Sequence, residues 1–405
     1  MTRNSTSAPR KDAKRGTWFF VVDVGIKPDG TRKQIYRRGF RTKADAQREL
    51  DNLRRDGREG TFVAPVRQKF GDFLMEDWLP VVQRELARST WEDYERKVRN
   101  HVVPNLGRLP MQAIDAIALN RFYTHLLEHG RLLGKQSPGL KPRTVRYIHT
   151  IVHAALDDAV RWRRITVNPA DQANPPSTSE SKAPEMKAWT QPQLVHFLAL
   201  CKGDRYYYPW FFLVTTGCRR GEALGLRWQD VNLDEVPAHA SIRQECIPLT
   251  KASGKGREGR MVARTKGDKA RVIELDTQTR AVLTGWKAVQ DKERQLVGAG
   301  YEDNGLIFCQ PDGRPYHPEA FSKTFDRRLR QQKFVDLPRI RLHDLRHTWA
   351  TLALVAGVDI RMVSERLGHS SILITSQTYQ HVRKGMQAGA AQKVADLIFG
   401  PPTEQ

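Results

Sequence analysis

Between His343 and Tyr379 the chain gathers side chains that could act together on one small anion. A helix over 342–356 puts Leu342, Leu345, Trp349 and Leu352 on one apolar stripe, which predicts its buried face. His343, Arg346 and His347, spaced i, i+3 and i+4, then share a different face. Gly357 is expected to end that helix, and Asp359 to cap a short one through Ile360, Val363 and Leu367 that stops at Gly368. His369 therefore follows a helix end, and Tyr379 lies beyond it in a segment rich in Ser, Thr and Gln. A phosphodiester under attack gathers negative charge on its nonbridging oxygens, and preorganised cations aimed there lower the barrier. Cationic donors with a tyrosine close behind are the makings of a phosphotransfer site.

Upstream, Thr216-Gly217-Cys218-Arg219-Arg220-Gly221-Glu222 supplies another arginine, and Lys266-Gly267-Asp268-Lys269-Ala270-Arg271-Val272 supplies lysines in a turn-like setting. Each feature alone has a plain structural alternative: Arg219 paired with Glu222, His343 as a satisfied structural histidine, Tyr379 as a half-buried aromatic. Taken together and in order, His343-x-x-Arg346, Leu367-Gly368-His369, Tyr379 and the two upstream motifs resemble the tyrosine recombinases, in particular the phage-type integrases. The resemblance spans roughly half the chain, which makes it far more specific than any one short motif.

That resemblance implies that the working guanidinium of the first motif is Arg219, with Arg220 structural. Arg219 and Arg346 would offer planar, permanently protonated forks to the phosphate. Tyr379 is the expected nucleophile, once positive charge or a base helps its phenol ionise. His343 is the expected base and His369 a phosphate donor, while His347 is assigned to support of the helix face. The departing 5′-oxygen needs a proton. Lys266 is chosen for that task over Lys251, Lys255 and Lys269, because Met261-Val262-Ala263 and Arg271-Val272-Ile273 read as the strands of one hairpin with Lys266 at its turn. A 3′-phosphotyrosyl intermediate retains bond energy, so neither ATP nor any other cofactor is implied. A metal on His343, His347, His369 and His381 is the competing chemistry, but carboxylate ligands at suitable spacing do not accompany them.

Bulk properties fit a polyanion as partner. The chain has 405 residues, 39% hydrophobic, enough for folded cores in about two or three domains. Its net charge of +22 and pI near 10.0 favour binding that releases counterions from DNA, though a ribosomal or heparin-binding protein would share them. Cys201, Cys218, Cys246 and Cys309 are far apart, which argues against a disulfide framework or zinc knuckle and for a reducing cytoplasm. No apolar run approaches membrane-spanning length, and 1–16 lacks the apolar core of a signal peptide.

The elements that must position the site suggest a multidomain chain, mainly α with small β-sheets. A mobile basic arm over 1–15 precedes a small strand-and-helix module over 16–64, in which Trp18 to Val24 and Lys33 to Phe40 form a hairpin turning at Lys27-Pro28-Asp29-Gly30. Thr42 and Asp45 start its helix, which buries Leu50 and Leu53 and ends near Gly57. The module resembles the arm-type DNA-binding domain of integrases, whose sheet enters a major groove, and Arg37 and Arg38 are its candidate contacts. A helical bundle over 65–168 resembles the core-binding domain. It has a helix starting at Ser89-Thr90 and another entered through Pro142 whose buried face is Val145, Ile148, Val152, Leu156 and Ala159. Lys141, Arg143 and Arg146 at one end of it, and Arg163 and Arg164 with Arg161 at the other, suit phosphate contacts. Trp91, Tyr94, Tyr147 and Trp162 are assigned to packing. A Pro/Ser/Asn-rich linker over 169–185 leads to an α+β catalytic domain over 186–405, entered at Thr190-x-x-Gln193.

Three function classes follow. The first is a site-specific recombinase that integrates and excises a phage or mobile element. The second is a type IB topoisomerase-like or resolvase-type enzyme with the same chemistry. The third is a non-catalytic DNA-binding regulator on the same fold. The integrase reading implies double-stranded attachment sites and a homotetramer on two duplexes, in the cytoplasm of a bacterial host, and leaves room for a host DNA-bending protein and an excision factor. Residues 390–399, with Val394, Leu397, Ile398 and Phe399, would dock on a neighbour or close their own domain.

Overall fold

The computed structural model describes residues 8–26, 31–59, 68–131, 139–182, 186–250, 257–263, 270–379, 397–398 and 400. The chain divides into two units, Met1–Ala183 and Pro184–Gln405.

In the first unit, β2 (Trp18–Ile26) and β3 (Arg32–Phe40) pair antiparallel, Phe20 opposite Arg37 and Val22 opposite Ile35. Side chains leave a strand on alternate faces, so Phe20 and Val22 turn together onto Ala46, Leu50 and Leu53 of α1 (Lys43–Glu59). Thr42 accepts the Asp45 backbone N–H at 3.1 Å and donates to its carboxylate at 2.7 Å, fixing the helix start. The helix runs past the predicted stop at Gly57, since one glycine costs a helix only about 1 kcal/mol. Alternation also separates the two candidate groove contacts. Arg37 lies half-buried on the α1 side, whereas Arg38, opposite Phe19, is exposed on the other face. The basic arm predicted over 1–15 is partly structured: β1 (Arg10–Lys11) pairs with Phe19 and Trp18, using the hydrogen-bonding edge that β2 would otherwise leave open. The turn at 27–30 lies outside the described residues.

The rest of this unit is helical: α2 (Phe70–Asp72), α3 (Leu79–Glu85), α4 (Arg88–Lys97), α5 (Val103–Leu106), α6 (Ala116–His129) and α7 (Pro142–Arg161). Pro80 and Pro104 cannot donate to the preceding turn, and there the backbone widens to i→i+5 bonding over Phe73–Trp78 and Val98–Val102. The predicted face of α7 is buried, joined by Ile151 and Ala155. Trp91, Tyr94, Tyr147 and Trp162 pack against the same core. Two expectations change. Helix α4 begins at Arg88 rather than at a Ser89 cap, because Trp91 anchors the turn: its indole Nε1 donates to the Leu79 carbonyl at 3.0 Å. The linker predicted from 169 starts later, since Ala170 and Ala173 are buried in the helical core and Asn168 caps the Pro169–Gln172 turn. Pro176 is tied down as well, its carbonyl accepting from Arg146 at 2.8 Å.

The second unit has an aromatic core built from Trp189, Phe197 on α8 (Gln191–Cys201), Trp210 and Phe212 on α9 (Tyr207–Thr216) and Phe325. Gly217 ends α9 at φ +67, and a β-carbon there would come 2.7 Å from the Trp349 ring, so both backbone and space require glycine. After α10 (Arg220–Gly225), β4 (Val231–Asn232) and β5 (His239–Ile242) pair antiparallel, while β6 (Gln244–Thr250) and β7 (Arg257–Ala263) form their own two-stranded sheet. β8 (Arg271–Glu274) joins β5, giving the order β4-β5-β8. This overturns the hairpin predicted around Lys266: Met261 pairs with Cys246, and Ile273 with Ala240, so the two strands belong to different sheets. Helices α11 (Thr277–Val297) and α12 (Pro318–Arg328) precede the last described helices, α13 (Asp344–Val355), α14 (Ile360–Leu367) and α15 (Ile372–Thr378).

Helix α13 packs on two sides, Leu345 into the main core and Ala350 with Leu354 into a second cluster containing Val363, Leu367 and Tyr379. The predicted stripe is therefore wider than expected, Trp349 and Leu352 are only half-buried, and Arg346 is drawn inside. Asp359 caps α14 and left-handed Gly368 ends it, as the sequence predicts. Of the segment 390–399, Leu397 and Ile398 are described and are exposed.

Candidate active site

Two turns meet at the centre of the second unit. Arg219 caps α10 just after the Gly217 turn; its backbone N–H and its Nη1 each donate to the Glu222 carboxylate at 2.8 Å, and its Nη2 donates to the Gly368 carbonyl at 2.8 Å. Glu222 is 0% exposed. Burial pushes its carboxyl up, yet Arg271, donating at 3.0 and 2.6 Å, and then Arg219 outweigh that and hold it at about 2. The ion pair weighed as a plain alternative for Arg219 is thus present, and it also orients the guanidinium. Arg220 points elsewhere and donates to the Ser322 hydroxyl.

Arg346, 3% exposed, enters from α13 and donates to the carbonyls of Gly217 at 2.8 Å and Leu367 at 2.7 Å. Loss of water, and then the charge of Arg219, lower it to about 10, so it stays protonated at neutral pH. The two arginines are therefore seated on one strip of backbone, Gly217 on one side and Leu367 and Gly368 on the other, with more N–H groups than these contacts use. Arg271 on β8 completes the seat through Nε to the Arg366 carbonyl at 2.9 Å.

His369 follows Gly368, and its Nδ1 lies 2.7 Å from the hydroxyl of buried Thr375. Tyr379 ends α15, its backbone N–H donating to the Thr375 carbonyl. It is 1% exposed, more deeply buried than the half-buried aromatic weighed as its structural alternative. Burial raises its phenol to about 12, with Arg346 pulling the other way. Its hydroxyl lies 2.8 Å from Nδ1 of His347. His347, and not His343, is the histidine set against this hydroxyl. His343 is the exposed N-cap of α13 and stands edge-on to the His347 ring at 5.0 Å; the helix begins at Asp344, two residues later than expected, and His347, four residues after His343, is the one that reaches Tyr379. Protein packed around its ring, then His347 and Arg346, lower His343 to about 4; burial, then Arg346 and Arg219, do the same for His369. Both are neutral at physiological pH.

Beyond the expected set, four residues build this site: His347, which the sequence assigns to support of the helix face, Glu222, which it offers as the partner of Arg219, and Arg271 and Thr375, to which it gives no role. His347 was visible as the i+4 neighbour of His343, and Glu222 as the third residue of a helix capped by Arg219. Arg271 acts through a contact across the fold, and Thr375 meets His369 six residues back; neither carries a motif. Lys251, Lys255, Lys266 and Lys269 lie outside the described residues.

In the first unit, Lys141 and Arg143 are exposed at the start of α7 and Arg163 is exposed beyond its end. Arg146 is held by Pro176, and Arg164 lies half-buried, 3.8 Å from Asp77. Among the described residues, His153, Asp157 and Asp171 lie at ligand-like distances, with the two ring nitrogens of His153 at 3.0 Å from Asp157 and 2.8 Å from Asp171.

Residues 9–56 match an Arm DNA-binding domain, 69–127 the N-terminal SAM-like domain of phage integrases, and 188–386 the phage integrase family. The chain is 27% identical to the ICEBs1 integrase of Bacillus subtilis (strain 168), over 96% of this chain and 99% of that protein. It is 26% identical to a XerC-like tyrosine recombinase of Caldanaerobacter subterraneus subsp. tengcongensis, over 95% and 98%. In fold it resembles the Tn1549 transposon integrase bound to a circular intermediate DNA, with a TM-score of 0.60 and 18% identity over 76% of this chain and 98% of that one. It also resembles a lambda integrase tetramer bound to a Holliday junction, with a TM-score of 0.53 and 15% identity over 93% and 96%.

Proposed function

We propose a division of labour among the residues of this chain, which belongs to the phage integrase family of tyrosine recombinases and is a site-specific DNA recombinase. Tyr379 attacks a DNA phosphodiester and forms a 3′-phosphotyrosyl link, releasing a 5′-hydroxyl. The 5′-hydroxyl of a partner strand reverses the step, so bond energy is kept. Arg219 and Arg346 bind the nonbridging oxygens, whose charge grows in the transition state. His369 and His343, neutral beside them, donate N–H groups to the same phosphate. Lys266 gives the leaving 5′-oxygen its proton. The observation that carries this reading is the common backbone seat of Arg219 and Arg346, with Tyr379 in the cluster that packs against it.

The test is a nicked suicide substrate that traps the covalent complex. Tyr379→Phe should bind this DNA like the wild type and give no covalent band on a denaturing gel; a persisting band moves the nucleophile elsewhere. Lys266 is tested with sulfur at the 5′-bridging position, a leaving group that needs little protonation. Sulfur should restore cleavage in Lys266→Ala but not in Arg219→Ala, and rescue of Lys269→Ala instead would transfer the role.

The partners follow from the same reading. Residues 9–56 engage DNA outside the crossover core, and exposed Lys141, Arg143 and Arg163 contact backbone phosphates near it. The lambda integrase tetramer on a Holliday junction supports a homotetramer on two duplexes. The enzyme works on attachment sites in the cytoplasm of a bacterial host, and no described helix is long and apolar enough to cross a membrane.

A further inference from the structure

We propose that His347 takes the proton from Tyr379 as the tyrosine attacks, and returns it on rejoining. This rests on Tyr379 being the nucleophile. A general base must lie within about 2.6–3.2 Å of the atom it deprotonates. His347 Nδ1 is 2.8 Å from the Tyr379 oxygen, deep in a cluster where the tyrosine is 1% exposed and a water molecule would have little access to the hydroxyl. The other histidines are engaged differently: His369 Nδ1 meets the Thr375 hydroxyl, and His343 faces the His347 ring edge-on.

The surroundings keep His347 a proton acceptor. Burial lowers its basicity, and so do Arg346 and Arg341, with Asp344 acting in the opposite sense; the His343 ring packs against it. It is therefore neutral when the reaction begins, with its proton on Nε2 and a lone pair on Nδ1. In the step, the Tyr379 O–H bond breaks and its proton passes to Nδ1, while the phenolic oxygen bonds to phosphorus. The bond from phosphorus to the 5′-oxygen breaks, and that oxygen takes its proton from a separate acid, Lys266 in our assignment. On rejoining, a 5′-hydroxyl attacks and gives its proton to that acid's conjugate base. The bond from phosphorus to Tyr379 breaks, and the phenolate recovers the proton from the His347 imidazolium. No proton is left over in either direction.

Asparagine separates proton transfer from mere hydrogen bonding, because its amide puts an oxygen or nitrogen where Nδ1 sits but cannot take up a proton. In single-turnover cleavage of the suicide substrate by the full chain, His347→Asn and His347→Ala should both slow covalent complex formation by about a hundredfold or more. DNA binding and the thermal midpoint of His347→Asn should stay near wild type. Difluorotyrosine at position 379 ionises more readily, and it should restore most of the rate in His347→Asn while changing the His347 enzyme little. A His347→Asn enzyme that cleaves at nearly the wild-type rate would overturn the proposal, reducing His347 to a hydrogen-bonding prop. So would a fluorotyrosine rescue seen with His343→Ala and not with His347→Asn. A covalent band from Tyr379→Phe would remove the nucleophile assignment itself, which is a different failure from either of these.

Discussion

Glu222 is the residue on which the charges of the site balance. It is fully buried, and two arginines lean on its two oxygens. Removing one partner of such a group leaves the others uncompensated, which typically costs about 3–5 kcal/mol. Glu222→Gln should therefore lower the thermal midpoint clearly and slow cleavage more than it weakens DNA binding, as Arg219 loses its orientation; circular dichroism melts and a gel-shift titration measure the two. Arg346→Lys should keep the positive charge yet lose the fork that spans the Gly217 and Leu367 carbonyls, and cleavage should fall by about a hundredfold to a thousandfold. Acid stability is set by other residues. His343 and His369 titrate near 4 in the folded chain against an ordinary value near 6.5, as does His149 in the first unit. The unfolded chain thus binds more protons between those values, so stability is full above about 6.5 and declines as pH falls towards about 4. Glu222, held near 2 against an ordinary value of 4.5, adds its own loss as pH falls from about 4.5 towards 2. Pulse proteolysis at pH 7.5, 5.5 and 4.5, following cuts within 270–379, should show progressively faster cleavage; equal rates would mean these histidines are not kept neutral by the fold.

At the scale of elements, the Gly368 turn carries the greatest consequence. It has φ +64, and a β-carbon would come 2.8 Å from Arg271 Nη1. Gly368→Ala should cost about 1–2 kcal/mol for the left-handed backbone and also push on the Arg271–Glu222 contact. His369 would shift with it, so cleavage should suffer more than binding, which a suicide-substrate time course alongside a gel shift would reveal. This turn was legible in the sequence because its determinants are local: Asp359 caps, Val363 and Leu367 bury, Gly368 stops. The fold class, the α7 face and the clustering of Arg219, Arg346, His369 and Tyr379 were legible for the same reason or through motif order. What escaped was pairing at a distance. Alternation in Met261-Val262-Ala263 and Arg271-Val272-Ile273 reveals strands but not partners, so two sheets were read as one hairpin. Ala170 and Ala173 sit in a stretch whose prolines read as linker, yet small side chains find core contacts that composition does not advertise. His343 and His347 lie one helical turn apart, and which of them reaches Tyr379 depends on where the segment after Gly368 folds back onto α13, a contact that no local pattern reveals.

For the whole molecule, the separate match of 9–56 and the small core of its own that Phe20, Val22, Ala46, Leu50 and Leu53 make mark the N-terminal module as removable in principle. A chain lacking 1–56 should still cleave an isolated core site but lose integration on long substrates, and its footprint should lack the outlying protected segments; identical footprints would make the module a stabilising appendage. With a net charge of +22, affinity should fall steeply with salt for both forms, less so for the truncated one, which sheds basic residues. Within the second unit, the anchoring of the site has a consequence for control. The arginines are fastened to turns at Gly217 and Leu367–Gly368, whereas Thr375, the prop of His369, lies on α15 and Tyr379, the proposed nucleophile, directly ends it. A displacement of that short helix would withdraw Tyr379 and slacken His369 together, while leaving the two arginines seated. The protein would then still hold a phosphate it could not cut, which makes the safety of the chromosome between recombination events a property of where seven residues rest.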